Sequence, residues 1–351
     1  MRKDRITQKD IAKLLNISQA TVARVVNNSG KINEETRDKV LKKINELDYK
    51  PNKIASNLVR QGNRKVTINV IIPTVPATFW NKMQDGIIAG LNEIIDYGII
   101  YKITNIETYE MDKLVKYLVE MKEQRPDYLI LFPLDNEMIV SELNQLAKEG
   151  TKIIFINDDI KSIPKLFYIG PDNLQGGRLA GEFMGKFLRG KGNIFVIACD
   201  KFSVEIQERH YGFNEVIKQD YDDIKVNYFI YDRGKQNAYD ITIDILSKYN
   251  DIDGIYDSDG NIDQVSRALF SVKRNDIILI GHEYHPGLHD LIQQKYIYNA
   301  INQDAFKQGY NCIKILSKYL FEGKPLNGES FYTDFNIVMK YNSDNRNSEV
   351  Y

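Results

Sequence analysis

Two folds are predicted in one chain: a small all-α helix-turn-helix domain, followed by a larger α/β body built on parallel β-sheets. Three observations carry this. Over roughly the first fifty residues, apolar positions recur at helical spacing between capping residues. From Val66 the pattern switches to short apolar runs separated by longer amphipathic segments, as βαβ units require. Charge divides the same way, with 16 Lys+Arg against 7 Asp+Glu in residues 1–65 and 31 basic against 41 acidic residues in the remainder. The net charge of -1 therefore hides a basic arm on an acidic body, and a basic arm suits a polyanion. At 351 residues the chain exceeds what one ordinary core organises.

In the basic arm, Thr7 is placed to cap a first helix, with Asp10 three residues on. Ile11, Ala12, Leu14 and Leu15 are expected to face inward. Ser18 caps a second helix, Gln19 to Val26, with Val22, Val25 and Val26 on its inner side. A turn through Asn27 to Gly30 follows. Asn33, with Glu34 and Glu35 behind it, opens a third helix carrying Val40, Ile44 and Leu47 at helical spacing. Two short helices joined tightly, with a third closing the core, make a helix-turn-helix. A three-helix bundle with no nucleic-acid role shows the same periodicity. The polar groups at the start of the second helix, Gln19, Thr21 and Arg24, are what base readout in the major groove needs.

The wording adds to the pattern. TQKDIAKLLNISQATVARVVNN, followed by NEETRDKVLKKINELDYKPN, closely resembles the LacI family of bacterial repressors over the first 60 or so residues. The resemblance implies that Gln19 and Ala20 occupy the operator-reading pair and that Arg24 reaches a guanine. It places Thr7, Ser18, Thr21 and Asn27 on backbone contacts, which set register without reading sequence. Ala23 departs from the family's serine and loses a phosphate contact, and Ala20 offers no hydrogen bond. The next stretch, Pro51 to Val59, is too short to be a stable helix alone. In the family it is a hinge helix that folds on DNA in a dimer. Asn52, Ala55 and Leu58 are then DNA contacts, Leu58 as a wedge in the minor groove. The alternative is a linker whose Leu58 covers the following domain.

In the body, eight apolar runs read as strands: VTINVIIP, YLILFPL, KIIFIND, KLFYIGPDN, NIFVIA, VNYFIY, GIYDSD and IILIGHE. Helical stretches include Lys82 to Tyr97, Met111 to Gln124 and Leu174 to Leu188. IIPTVPATFW lacks a glycine-rich phosphate fingerprint, which disfavours a nucleotide cofactor. The segments FWNKMQDGI, YIGPDNLQGGRLAGEFM, ERHYGF and NAINQDAFKQG resemble the sensor domain of the same family, of periplasmic-binding-protein-like type I fold and ribose-binding branch. That resemblance implies two α/β lobes, three crossovers and a small molecule in the cleft, beyond the carboxyl ends of the strands.

Effector-binding residues expected on that basis are Phe79 and Trp80 as a stacking platform, then Asn157, Asp158, Arg209, Ser258, Glu283 and Gln303. Carboxylates, amides and a guanidinium beside aromatics suit a ligand with many hydroxyls. Any one of them could instead be a strand-end cap. Asn157, Asp158, Ser258 and Glu283 differ from the ribose-binding residues, so ribose itself is not expected.

His282, His285 and His289 with Glu283 raise a metal site, but the spacing fits no zincin pattern, and no metal or cofactor is expected. No nucleophile–base arrangement stands out, so no catalytic residue is assigned. Cys199 and Cys312 sit singly in apolar surroundings and read as buried thiols. With no export signal or bilayer-spanning stretch, this favours the cytoplasm and no membrane partner. The expected organisation is a DNA-binding domain over 1–50, a hinge over 51–65, a two-lobed effector-binding and dimerisation domain over 66–341, and a fraying polar tail over 342–351. The expected function is a homodimeric repressor on a near-palindromic double-stranded DNA operator, controlled by a sugar or sugar derivative. A transport or chemotaxis binding protein and a sugar-converting enzyme with a DNA-binding appendage are the alternatives.

Overall fold

The computed structural model describes residues 8–26, 32–47, 65–107, 110–198, 203–232 and 235–344. The chain divides into two compact units, Met1–Asn63 and Arg64–Tyr351.

The first unit holds α1 (Gln8–Leu15), α2 (Gln19–Val26) and α3 (Glu34–Glu46). Ser18 caps α2, its Oγ accepting from Thr21 N at 3.1 Å, and Asn33 Oδ1 caps α3 by accepting from Glu35 N at 2.9 Å. Each cap satisfies an amide that the helix leaves without a partner. Ile11, Ala12, Val22, Val25 and Val40 form the core, with Leu15, Ile17, Val26, Ile32, Ile44 and Leu47 packed around it. Leu14 departs from expectation and is 62% exposed. Ile11, Ala12 and Leu15 define the buried stripe, and Leu14 lies about 100° round the helix from its centre.

The second unit runs β1 (Val66–Pro73), α4 (Ala77–Ile94), β2 (Ile99–Ile106), α5 (Met111–Gln124), β3 (Tyr128–Leu131), α6 (Glu137–Lys148), β4 (Lys152–Ile156), β5 (Phe167–Pro171) and α7 (Asn173–Phe187). It continues with β6 (Lys191–Ala198), α8 (Val204–Asp220), β7 (Asp223–Ile230), α9 (Ala238–Lys248), β8 (Gly254–Asp257), α10 (Ile262–Ser271), β9 (Ile278–His282) and α11 (His289–Gln293). β10 (Asn299–Asn302), α12 (Ala305–Glu322), β11 (Glu329–Thr333) and β12 (Asn336–Val338) complete it. Two six-stranded sheets result, in the orders β11-β5-β4-β3-β1-β2 and β12-β10-β9-β8-β6-β7. The first is parallel throughout, and the second is parallel except for β12, which runs antiparallel to β10.

All eight apolar runs are strands. Central ones are buried along their length because helices cover both faces, as in β3 and β8. The chain passes between lobes three times, over residues 171–173, 302–305 and 333–336. Thus α7 packs on α8 in the second lobe, whereas α12 returns to pack on α4 in the first. The chain beyond β12 does not fray at once. Ser343 is 1% exposed, and its carbonyl accepts from Tyr284 Oη at 2.6 Å, so the docked chain reaches past Asn342.

Two glycines bring α7 and α8 close. A Cβ on Gly177 would lie 2.0 Å from the carbonyl oxygen of Arg209, and one on Gly212 would lie 2.1 Å from that of Leu174. The α7–α8 contact therefore fixes the backbone that carries Arg209.

Candidate functional site

In the first unit, Gln19, Ala20 and Arg24 are exposed on α2, away from the buried side formed by Val22 and Val25. Ser18 Oγ and Thr21 Oγ1 lie 2.8 Å apart at the start of the same helix. The amino end of α2 therefore presents hydroxyls and an amide, and Arg24 adds an exposed guanidinium in the last turn of the same helix. Thr7, Asn27, Asn52, Ala55 and Leu58 lie outside the described residues, as do Cys199 and the whole of 51–64.

In the second unit, the expected effector residues fall into three groups at the carboxyl ends of parallel strands. The first group spans the lobes. Arg209, on α8 and 1% exposed, donates Nη1 to the carbonyl of Ser258 at 2.8 Å and forms an ion pair with Glu205, one turn earlier. Glu205 reaches across to the first lobe, its Oε2 accepting from Asn157 Nδ2 at 3.1 Å. Asp158 Oδ2 accepts from Ser203 Oγ at 3.3 Å and from Glu205 N at 3.2 Å, placing a carboxylate on the amino end of α8. Lys161 and Glu208 add an exposed pair at 3.1 Å between the same segments. Burial, then the charge of Glu205, pushes the Asp158 carboxyl well above the usual range. Asn157 holds a φ of 68°, so the backbone turns sharply where β4 ends.

Glu283 and Gln303 form the second group. Gln303 donates Nε2 to Glu283 Oε1, and Gln308 Nε2 donates to the Gln303 carbonyl at 3.2 Å. Burial raises the Glu283 carboxyl to about 8, opposed by the positive charge of Arg209, which links this group to the first. Glu283 follows β9 with a φ of 70°, and the loop after β8 abuts it: a Cβ on Gly260 would meet Glu283 Cγ at 3.3 Å. Ser258 Oγ lies 2.8 Å from His210 Nε2, and burial with the neighbouring Arg209 lowers that imidazole to about 4.

Phe79 and Trp80 make the third group, in the first turn of α4. They pack edge to face at 5.0 Å, and Trp80 meets Phe132, just past β3, at 5.1 Å. Both are 5% exposed, so these rings are held by one another as well as presented.

Glu205 and Phe132 were not singled out from the sequence. Glu205 stands four residues before Arg209, a spacing that puts the two on one helix face and could have signalled the pair. The histidine cluster separates. His282 is buried against Tyr256 Oη at 2.8 Å, and His289 Nδ1 lies 3.2 Å from the Ser343 carbonyl. Among the described residues no three His, Cys, Asp or Glu side chains come together as a metal would require. No helix among them is long and apolar enough to cross a membrane.

A two-lobed binding-protein body behind a helix-turn-helix unit defines a class of bacterial regulator. Residues 68–325 match the periplasmic binding protein domain family, and residues 7–52 match the lacI family of bacterial regulatory proteins. The chain belongs to the LacI family. The HTH-type transcriptional regulator DegA of Bacillus subtilis is 28% identical over 211 residues, and the match spans 60% of either chain's length. The ribose operon repressor of Halalkalibacterium halodurans is 25% identical over 340 residues, 95% of this chain and 96% of the other. The glucose-galactose binding protein GanP of Geobacillus stearothermophilus superposes on 79% of this chain and 99% of its own, with a TM-score of 0.71 at 19% identity, a likeness of fold.

Proposed function

We propose that this chain is a cytoplasmic transcriptional repressor, working as a homodimer on a near-palindromic double-stranded DNA operator, whose grip changes when a sugar or sugar derivative enters the cleft. It is a regulator and not an enzyme. Each subunit sets α2 in the major groove, with Gln19 and Arg24 reading bases, Ala20 at most touching a thymine methyl, and Thr7, Ser18, Thr21 and Asn27 on the backbone. Asn52, Ala55 and Leu58 act in the paired hinges at the operator centre.

The observation that carries the reading is hydrogen-bonding capacity at the cleft. Asn157 Oδ1, Arg209 Nε and Gln303 Oε1 are buried without partners. Buried polar atoms in a native protein find partners, and a ligand with several hydroxyls supplies them. Such a ligand competes with Glu205 for Arg209 and so acts on the contacts that tie the loop after β4 to α8. A change of lobe angle there alters the spacing of the two hinges. A coupling of about 1–3 kcal/mol is enough to change occupancy several-fold. The test is fluorescence anisotropy on an operator selected from a random duplex library, with and without each member of a monosaccharide panel. At least one sugar is expected to shift the affinity. Failure to enrich any sequence would contradict the DNA-reading role.

A further inference from the structure

The described groups around the cleft are unbalanced in hydrogen bonding, and acidic side chains outnumber basic ones there, although burial favours the protonated forms of Asp158 and Glu283. Asp158 follows β4, Asp259 follows β8, Glu283 follows β9 and Glu205 opens α8, with Asp257 buried at the end of β8. Arg209 is the one buried cation among the described residues there, and Glu205 already pairs with it. Lys82 acts on Glu283 only from an exposed position on α4. His210 and His282 add no charge, because burial and Arg209 keep both imidazoles neutral.

The amides lean the same way. Gln303, 2% exposed, spends Nε2 on Glu283 and leaves Oε1 without a donor. Asn157, also 2% exposed, spends Nδ2 on Glu205 and leaves Oδ1 likewise. Both amides thus keep a buried acceptor without a donor, beside an acidic side chain that takes their N–H. A ligand completing these two amides brings donors to them and an acceptor to Arg209 Nε, and a positive charge beside Glu283 draws off the proton that burial keeps on it. An ammonium supplies three N–H donors and a charge, whereas a phosphate or carboxylate brings only more acceptors.

Taking the cleft as the effector site, we propose that the effector bears a protonated amine, as an amino sugar does, and that Glu283 and Gln303 Oε1 receive it. The hydroxyls of the same ligand meet Arg209 and Asn157.

Isothermal titration of the full chain with matched pairs tests this: glucosamine with glucose, galactosamine with galactose, mannosamine with mannose, and glucose 6-phosphate as the anionic member. The amine of at least one pair is expected to bind tenfold or more tightly than its neutral partner. In Glu283→Gln, and separately in Gln303→Leu, that ratio is expected to collapse to within twofold, with the far-ultraviolet spectrum reporting that each variant is folded. Neutral or anionic sugars binding as tightly as amines, with binding lost in Arg209→Ala, would overturn the amine proposal and leave the cleft reading standing. Amine binding that survives Arg209→Ala and Glu283→Gln unchanged would overturn both, as would the absence of binding by every member.

Discussion

At the scale of single residues, Arg209 governs the second unit. It is a buried guanidinium held by Glu205 and the Ser258 carbonyl. Removing one partner of a buried pair leaves the other charge uncompensated, so Glu205→Ala is expected to cost about 3–5 kcal/mol in urea unfolding. A loss below 1 kcal/mol would mean that water or another group takes Glu205's place. Arg24 is exposed, and the role proposed for it is contact with a base. Arg24→Ala is expected to lose about 1–3 kcal/mol at one operator base pair while non-specific DNA binding persists, as competition against scrambled duplex would reveal. Glu283 gives a pH test. Its carboxyl is raised to about 8, from 4.5, so the folded chain keeps a proton that the unfolded chain has lost between those values. Stability contributed there is complete below 4.5 and falls as pH rises through 8. His210, lowered to about 4 from 6.5, acts oppositely below 6.5 and not above it, whereas the raised Asp158 and Asp257 carboxyls act in the same direction as Glu283, so the comparison with a Glu283 variant is what separates its share. Denaturation of Glu283→Gln beside the parent should show a smaller loss of stability from pH 6.5 to about 8. Arg209 was legible in the sequence through the ERHYGF segment, whereas the spacing of Glu205 could signal only its pairing with Arg209. Its significance comes from reaching the Asn157 amide across the cleft, a contact between residues 48 positions apart.

At the scale of elements, legibility followed burial. Strands covered on both faces read as unbroken apolar runs, and each of the eight is present. β2 was missed because IIYKITNI at a sheet edge alternates buried and exposed positions and interrupts its apolar character with Lys102 and Asn105. β10 is only four residues long, and β11 is largely exposed at the edge of the first sheet. Helix α4 begins at Ala77, five residues before the expected start at Lys82, so Phe79 and Trp80 lie within its first turn. The glycines of QGGRLAG and HYGF look unremarkable to periodicity, yet they set the α7–α8 spacing. Gly177→Ala would drive a Cβ to 2.0 Å from the Arg209 carbonyl, and backbone cannot step aside as a side-chain tip can. A loss of about 1–3 kcal/mol by overpacking is expected, accompanied by weaker effector binding because Arg209 shifts with α8. Unchanged unfolding and binding would show that the helices separate freely.

At the scale of the whole molecule, local patterns do not reveal which lobe an element serves. Helix α12 follows a strand of the second sheet and packs in the first lobe, and α7 makes the reverse passage. The resemblance to a known architecture, not the hydrophobic pattern, made three crossings an expectation. Their consequence is that the loop after β4 and the start of α8, from different lobes, meet through Asp158, Ser203 and Glu205. A ligand engaging Arg209 acts on that meeting point, and the proposed route to DNA runs from there through the hinge to α2. The most direct test is operator affinity measured by anisotropy at zero and saturating effector, in the parent and in Arg209→Ala. A change of about 5- to 150-fold in the parent, absent from Arg209→Ala while its operator affinity without effector is retained, is the predicted result. Equal operator affinity with and without a ligand that demonstrably fills the cleft would contradict the account.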